Sequence, residues 1–141
     1  MCRAHWPNWN GGRTMLKPRT LARWCLGATM AFAGITHLTV ARQEFRAQVP
    51  KSLPLDEDFV VLASGVVEVG FGAALLTLPN PQQRRTAGEL LAAFYVAVFP
   101  GNVSQYLTHT DAFHLNSDRA RFIRLFFQPV LVAWAWWSTR D

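Results

Sequence analysis

The chain has 141 residues, of which half are apolar, 13% are aromatic and only 16% are charged. Because about a quarter of the residues in a soluble domain are charged, this composition excludes a disordered chain and a highly charged coiled coil, and the length suits one domain. The net charge is +5, but the basic residues lie in the N-terminal tail and between apolar blocks, so no nucleic-acid-binding face is expected.

The first 20 residues are predicted to form a flexible cytoplasmic tail. They contain no apolar core of the kind that a secretory signal peptide needs. Met15 is followed by Leu-Lys-Pro-Arg, which is typical of a cytoplasmic flank, and we hypothesise that Met15 rather than Met1 is the true start. The two cysteines, Cys2 and Cys25, form no CxxC pair, which argues against a disulfide framework or a thiol redox site.

Four apolar blocks occupy most of residues 21–138. Each block has 17 to 20 residues, close to the roughly 20 that a helix needs to cross the bilayer core. They show no alternation typical of strands, and they lack the polar stripe that each helix of a soluble bundle, the alternative, would carry. The sequence therefore predicts an all-α polytopic membrane protein, a single bundle of four transmembrane helices at about residues 22–41, 58–78, 86–107 and 120–138.

Local signals support these boundaries. Asp56 or Asp58 is suited to cap the second helix, and the pair Pro79 and Pro81 ends it, because proline cannot continue a helix ladder. Pro100 is predicted to kink the third helix. The connection over residues 42–55 is interpreted either as an amphipathic segment on the membrane surface or as an ordinary polar loop.

The distribution of Lys and Arg predicts the orientation. Eight of these residues lie on the side of the two termini and six on the other side, so the termini are expected in the cytoplasm. The expected location is the bacterial inner membrane, where the lipid bilayer is the first partner of the chain.

Five polar residues inside or at the ends of the spans are the candidate site. An ionisable group at the bilayer centre costs roughly 2.5 to 3.5 kcal/mol, so such groups face the bundle interior. At a rise of 1.5 Å per residue, all five lie in the outer half of the bundle. The charge of Glu68 is then either balanced by an ion pair with Arg124 or absent because Glu68 is neutral. They predict a small polar pocket that opens outward; the alternative is that they only hold helices together. The candidate residues are His37, Glu68, Asn102, Arg124 and Gln128.

Two further patterns complete the analysis of the residues. Gly27 and Gly34 share a face with His37, and Gly65 and Gly72 share one with Glu68. Because small residues let helices approach closely, His37 and Glu68 are both expected on packing faces. No metal site is expected, because His109 and His114 lack a full set of ligands.

Several short motifs occur in a fixed order along residues 24–137. They are Ala33 to His37, Phe45, Val49 to Pro54, Ser64 to Glu68 with Gly72, Arg84 and Arg85 before Gly88, Val98 to Asn102, and Gln128 with Pro129. In order and spacing they resemble the DoxX-like family of membrane proteins. The resemblance implies a four-helix membrane bundle and an association with thiosulfate and quinone oxidoreduction. The similar vitamin K epoxide reductase bundles use cysteine pairs, which this chain lacks.

The expected function is that of a redox-associated membrane subunit that holds a quinone or another small apolar ligand beside the five candidate residues. No haem, flavin or iron–sulfur motif is present, so electrons would come from a partner membrane or redox protein, and whether the chain itself is catalytic stays open. The alternative is a non-catalytic scaffold or assembly factor for a partner membrane protein. A homo-oligomer is compatible with either function, and a transporter ranks last because no repeated half is visible.

Overall fold

The structure is a computed structural model that describes residues 15–109 and 117–140. These residues form five helices and no strand. The helices are α1 (Pro18–Leu38), α2 (Arg42–Arg46), α3 (Glu57–Thr77), α4 (Pro81–Leu107) and α5 (Asp118–Ser138). Most of the expected tail, the start at Met1 and His114 lie outside the described residues.

Polar caps and prolines define the helix ends. The Asp56 carboxylate accepts hydrogen bonds from the backbone amides of Asp58 and Phe59 at 2.8 and 3.2 Å, so Asp56 is the cap of α3. The Asn80 side chain caps α4 in the same way, and Pro81 occupies its first turn, where a missing amide hydrogen costs nothing. Helix α4 continues through Pro100 as far as Leu107.

Two of the helices are long and apolar enough to cross a membrane. They are α3, with a mean hydropathy of 2.1, and α4, with a mean hydropathy of 1.3. Helices α1 and α5 have 21 residues each, as α3 does, but they do not meet this criterion. Polar side chains such as Arg23 and Arg124 lower their hydropathy. The described chain is thus all-helical with two candidate spans, rather than the four that the apolar blocks predict.

Helices α1 and α3 pack closely and antiparallel through glycines. A Cβ atom added to Gly34 would lie 2.6 Å from the carbonyl oxygen of Gly65, and one added to Gly72 would lie 2.8 Å from that of Gly27. These separations leave no room for a side chain, so the backbones themselves are in contact. The glycine faces noted in the sequence therefore meet each other.

Helices α4 and α5 form the second pair, and a shared core joins it to the first. The core lies toward the end of the bundle where α1 begins and α5 ends. Gly88 of α4 is in contact with Thr139, directly after α5. The buried core residues are Leu26, Met30, Leu75, Leu91, Tyr95 and Ala135. At the opposite end a partly open cavity lies between the two pairs.

Candidate functional site

A cavity of about 920 Å³ lies between the two helix pairs. Its walls come from all four long helices and from residues 45–53. These residues comprise the end of α2 and the segment after it. Most of the lining side chains are apolar. All five candidate residues line this one cavity, and they come from four different helices. They are His37, Glu68, Asn102, Arg124 and Gln128.

One wall carries an acid–base pair. The Nδ1 atom of His37 on α1 lies 2.9 Å from Oε2 of Glu68 on α3, and the two side chains are only 9% and 11% exposed. The same Nδ1 atom lies 2.8 Å from the carbonyl oxygen of Ala33, one turn earlier in α1. Because His37 and Glu68 project from the glycine faces of α1 and α3, the close packing of these helices positions the pair.

The opposite wall carries a chain of amide hydrogen bonds. Asn102 of α4 donates from Nδ2 to Oε1 of Gln128 at 3.0 Å, and Gln128 of α5 donates from Nε2 to the carbonyl oxygen of Tyr95 at 2.6 Å. Gln128 thereby bonds to the backbone of α4 and joins α4 to α5. The Tyr95 hydroxyl itself donates to the sulfur of Met30, across the bundle on α1.

Arg124 lies on the same side as this amide chain, and its guanidinium bonds to two glutamines. It donates from Nη1 to Oε1 of Gln105 and from Nη2 to Oε1 of Gln48, at 3.2 Å each. Gln105 is only 2% exposed. Gln48 belongs to the connection after α2, so this bond joins the connection to α5.

The connection that contains α2 covers part of the cavity. The ring of Phe45 stacks on the imidazole of His37, with ring centroids 3.2 Å apart. An added Cβ atom on Gly101 would lie 3.2 Å from the carbonyl oxygen of Gln48, so the connection also rests on α4. At its start, Arg42 bonds to Asp58, whose carboxylate raises the pKa of the Arg42 guanidinium.

The structure pairs Glu68 with His37 rather than with Arg124. Oε2 of Glu68 lies 2.9 Å from Nδ1 of His37, whereas the guanidinium of Arg124 bonds to Gln105 and Gln48. The reason is that the glycine contacts place α3 against α1, while Arg124 lies on α5.

Three residues that the sequence analysis did not select contribute to the site. Tyr95 supplies a backbone acceptor and a hydroxyl, Gln48 bonds to Arg124, and Phe45 stacks on His37. Phe45 stood only among the motifs of the family resemblance. No periodic pattern marks Gln48, because it lies outside the long helices.

The described part of the chain contains no group of three His, Cys, Asp or Glu residues that could hold a metal ion. His109 instead contacts Asp118, with Nδ1 2.7 Å from the carboxylate, and this contact lowers the pKa of Asp118. This arrangement is a link between the end of α4 and the start of α5.

The fold and the cavity define an all-helical protein with two candidate membrane spans and one apolar cavity that contains an acid–base pair. A family model described as a domain of unknown function, DUF8561, matches residues 26–139, so the chain belongs to that family. No curated protein and no solved structure matches the chain.

Proposed function

We propose that all four long helices cross the bacterial inner membrane, in a DoxX-like bundle with both termini in the cytoplasm. Helices of 21 residues are about 31 Å long, which equals the thickness of the hydrocarbon core. Each long helix also presents a large apolar side chain to the outside. Phe32, Val66, Val96 and Phe126 are exposed by 70, 62, 61 and 60%.

The two most apolar helices, α3 and α4, are little buried inside the protein, which supports the proposal that lipid surrounds them. Only 28% of the apolar window of α3 and 22% of that of α4 is buried inside the protein. A core helix of a soluble protein with this composition would be mostly buried, because exposed apolar area of this extent is rare in soluble monomers.

Reporter fusions test this topology. Alkaline phosphatase, active only outside the cytoplasm, and green fluorescent protein, fluorescent only inside, are each fused after residue 53, residue 80 and residue 140. We expect phosphatase activity only at residue 53 and fluorescence at the other two sites. Fluorescence at residue 53, or phosphatase activity at residue 140, would rule out four spans in this orientation.

We propose further that the cavity holds a quinone or another small apolar ligand for a redox-associated membrane complex. The observation that carries this proposal is one apolar cavity of about 920 Å³ with polar groups on two opposing walls. Small-molecule sites usually have a volume of about 300 to 1,000 Å³ and are apolar with a few well-placed polar groups. A quinone has an apolar body and an oxygen at each end, which matches this distribution.

The acid–base pair suits the proton transfers of quinone chemistry. Reduction of a quinone to a quinol takes two electrons and two protons, and oxidation of the quinol releases them. His37 and Glu68 can accept or supply a proton at the cavity wall. The electrons would pass to or from a partner redox protein, because the chain has no sequence motif for a redox centre of its own.

The quinone content of the purified protein tests this function. The protein is extracted in mild detergent under anaerobic conditions, its lipids are analysed by mass spectrometry, and the ratio of total quinone, oxidised plus reduced, to protein is compared with that of Glu68→Gln. The matched control is Glu89→Gln, the same chemical change at an exposed residue that pairs with Arg140 at the other end of the bundle. We expect near-stoichiometric total quinone in the wild type and the control, and a loss of at least tenfold in Glu68→Gln. Equal, trace amounts of total quinone in all three proteins would contradict the proposal.

One observation favours the second candidate, a non-catalytic scaffold or assembly factor. The polar side chains of the cavity also join helices: His37 contacts Glu68, Asn102 bonds to Gln128, and Arg124 bonds to Gln105. In a scaffold these contacts only fix the bundle. Glu68→Gln would then leave the lipid content unchanged but remove a partner protein that the wild type retains in pull-down experiments.

A further inference from the structure

The carboxylate of Glu68 lacks a hydrogen-bond donor of its own within the described residues. Its Oε2 atom is buried and accepts no hydrogen bond there, although Glu68 as a whole is only 9% exposed. A buried acceptor without a donor is costly, so native proteins rarely leave one. Since Glu68 lines the cavity, a bound ligand can supply the missing donor.

The contacts of His37 indicate where its Nδ1 hydrogen points. Nδ1 lies 2.8 Å from the carbonyl oxygen of Ala33 and 2.9 Å from Oε2 of Glu68. In the ring plane this atom carries either one hydrogen or one lone pair. A lone pair would face the Ala33 oxygen and be repelled by it, whereas a hydrogen attracts both oxygens. Nδ1 therefore carries the hydrogen and directs it to Ala33, which leaves Oε2 of Glu68 without a donor from His37.

The neighbouring hydroxyl groups do not donate a hydrogen bond to Glu68 either. Ser64, one turn earlier in α3, donates to the carbonyl oxygen of Val61 at 2.9 Å. The Tyr95 hydroxyl donates to the sulfur of Met30 at 2.8 Å. Both hydroxyl hydrogens are thus directed away from the carboxylate. Neither Nδ1 of His37 nor these two hydroxyl groups therefore donates to Oε2 of Glu68.

We propose that the cavity selects a ligand that donates a hydroxyl hydrogen to Glu68, so that it binds the quinol and discriminates against the oxidised quinone. This proposal rests on the proposed function and adds the redox state of the ligand. A quinone offers only carbonyl acceptors, which a carboxylate repels, whereas a quinol offers a hydroxyl at each end. Hydrogen bonds to an ionised group are about twice as strong as neutral ones, so the discrimination is large.

Three ligands of nearly equal size test the selectivity on the wild-type protein. They are a decyl-substituted benzoquinone, its quinol under anaerobic conditions, and the dimethyl ether of that quinol. The protein is delipidated and placed in nanodiscs, and each affinity is measured by quenching of tryptophan fluorescence. We expect the quinol to bind at least about tenfold more tightly than either other ligand, because a site that pairs with a hydroxyl rejects analogues without one.

The variants then connect the selectivity to Glu68. Glutamine at this position can donate as well as accept, so Glu68→Gln should reduce the preference for quinol to less than about threefold. Glu89→Gln should retain the full preference, and circular dichroism with gel filtration checks that both variants are folded.

The outcomes separate the two proposals. Equal binding of quinone and quinol by the wild type would overturn the selectivity but leave the quinone site standing, and tight binding of the dimethyl ether would do the same. No binding of any of the three ligands would overturn the quinone site and the selectivity together.

Discussion

The contact between α1 and α3 leads to a sharp expectation for two glycines of the same helix. Gly72 and Gly70 both lie in α3, two residues apart. A Cβ atom added at Gly72 would lie 2.7 Å from the backbone nitrogen of Ala31, whereas one added at Gly70 would meet nothing within 4 Å. Replacing each by alanine makes the same chemical change in the same helix with opposite steric consequences.

The magnitude follows from these distances. Ordinary contact begins at 3.4 Å, so Gly72→Ala requires the backbones of α1 and α3 to separate by about 0.7 Å at this point. Overpacking of this kind costs about 1 to 3 kcal/mol, and here the obstacle is backbone, which cannot rotate away as a side chain can. Gly70→Ala creates no such clash, so only the higher helix propensity of alanine changes the stability. This propensity stabilises the folded protein by about 0.5 to 1 kcal/mol.

Thermal unfolding of the detergent-solubilised protein, followed by intrinsic fluorescence, measures the difference. We expect Gly72→Ala to unfold several degrees below the wild type and Gly70→Ala at or above it. Each variant serves as the control for the other, because lipid, detergent and helix are common to both. If Gly72→Ala proved as stable as Gly70→Ala, the glycine-mediated contact of α1 with α3 would be incorrect.

Two more pairs of substitutions test the packing at the other end of the bundle. Gly88→Ala should lower the unfolding temperature, because the new methyl group meets the side chain of Thr139. The double variant Gly88→Ala with Thr139→Gly should recover stability. A double variant that stayed as unstable as Gly88→Ala would contradict this contact. Leu91 is fully buried and its neighbour Leu90 is 57% exposed, so Leu91→Ala should cost about 2 to 5 kcal/mol and Leu90→Ala much less. Equal losses, measured by denaturant unfolding in micelles, would show that the orientation of α4 is wrong.

The helix ends show what hydropathy alone could and could not predict. The expected boundaries of 58–78 and 120–138 are within two residues of α3 and α5. The starts of α1 and α4 were placed four and five residues too late, at 22 and 86, because their first turns are polar. The prolines Pro18 and Pro81, with Asn80 as a cap, mark the observed starts, since a proline in the first turn needs no hydrogen-bond partner.

The sequence predicted five of the residues that line the cavity, but not the contacts that these residues make. A polar residue within an apolar helix faces inward, and this rule suffices to collect His37, Glu68 and Gln128 around one cavity. Which residue pairs with Glu68 depends instead on which helices are neighbours. Depth along the helix axis is compatible with Arg124 as the partner, but the contact of the glycine faces of α1 and α3 brings His37 to Glu68 instead. The acceptor for Gln128 is a backbone carbonyl, which no residue type specifies.

The position of the cavity follows from the distribution of side-chain volume along the helix pairs. Toward the termini, Leu26, Leu75 and Leu91 are all fully buried and fill the space between the pairs. Toward the other end, the residues that face this space include Ala33, Ser64 and Gly101, which are too small to fill it. Since the contact of α1 with α3 is held by glycines, these helices cannot move to close the gap without losing their own packing. The small side chains at this end and the fixed contact of α1 with α3 therefore together keep the cavity open beside Glu68.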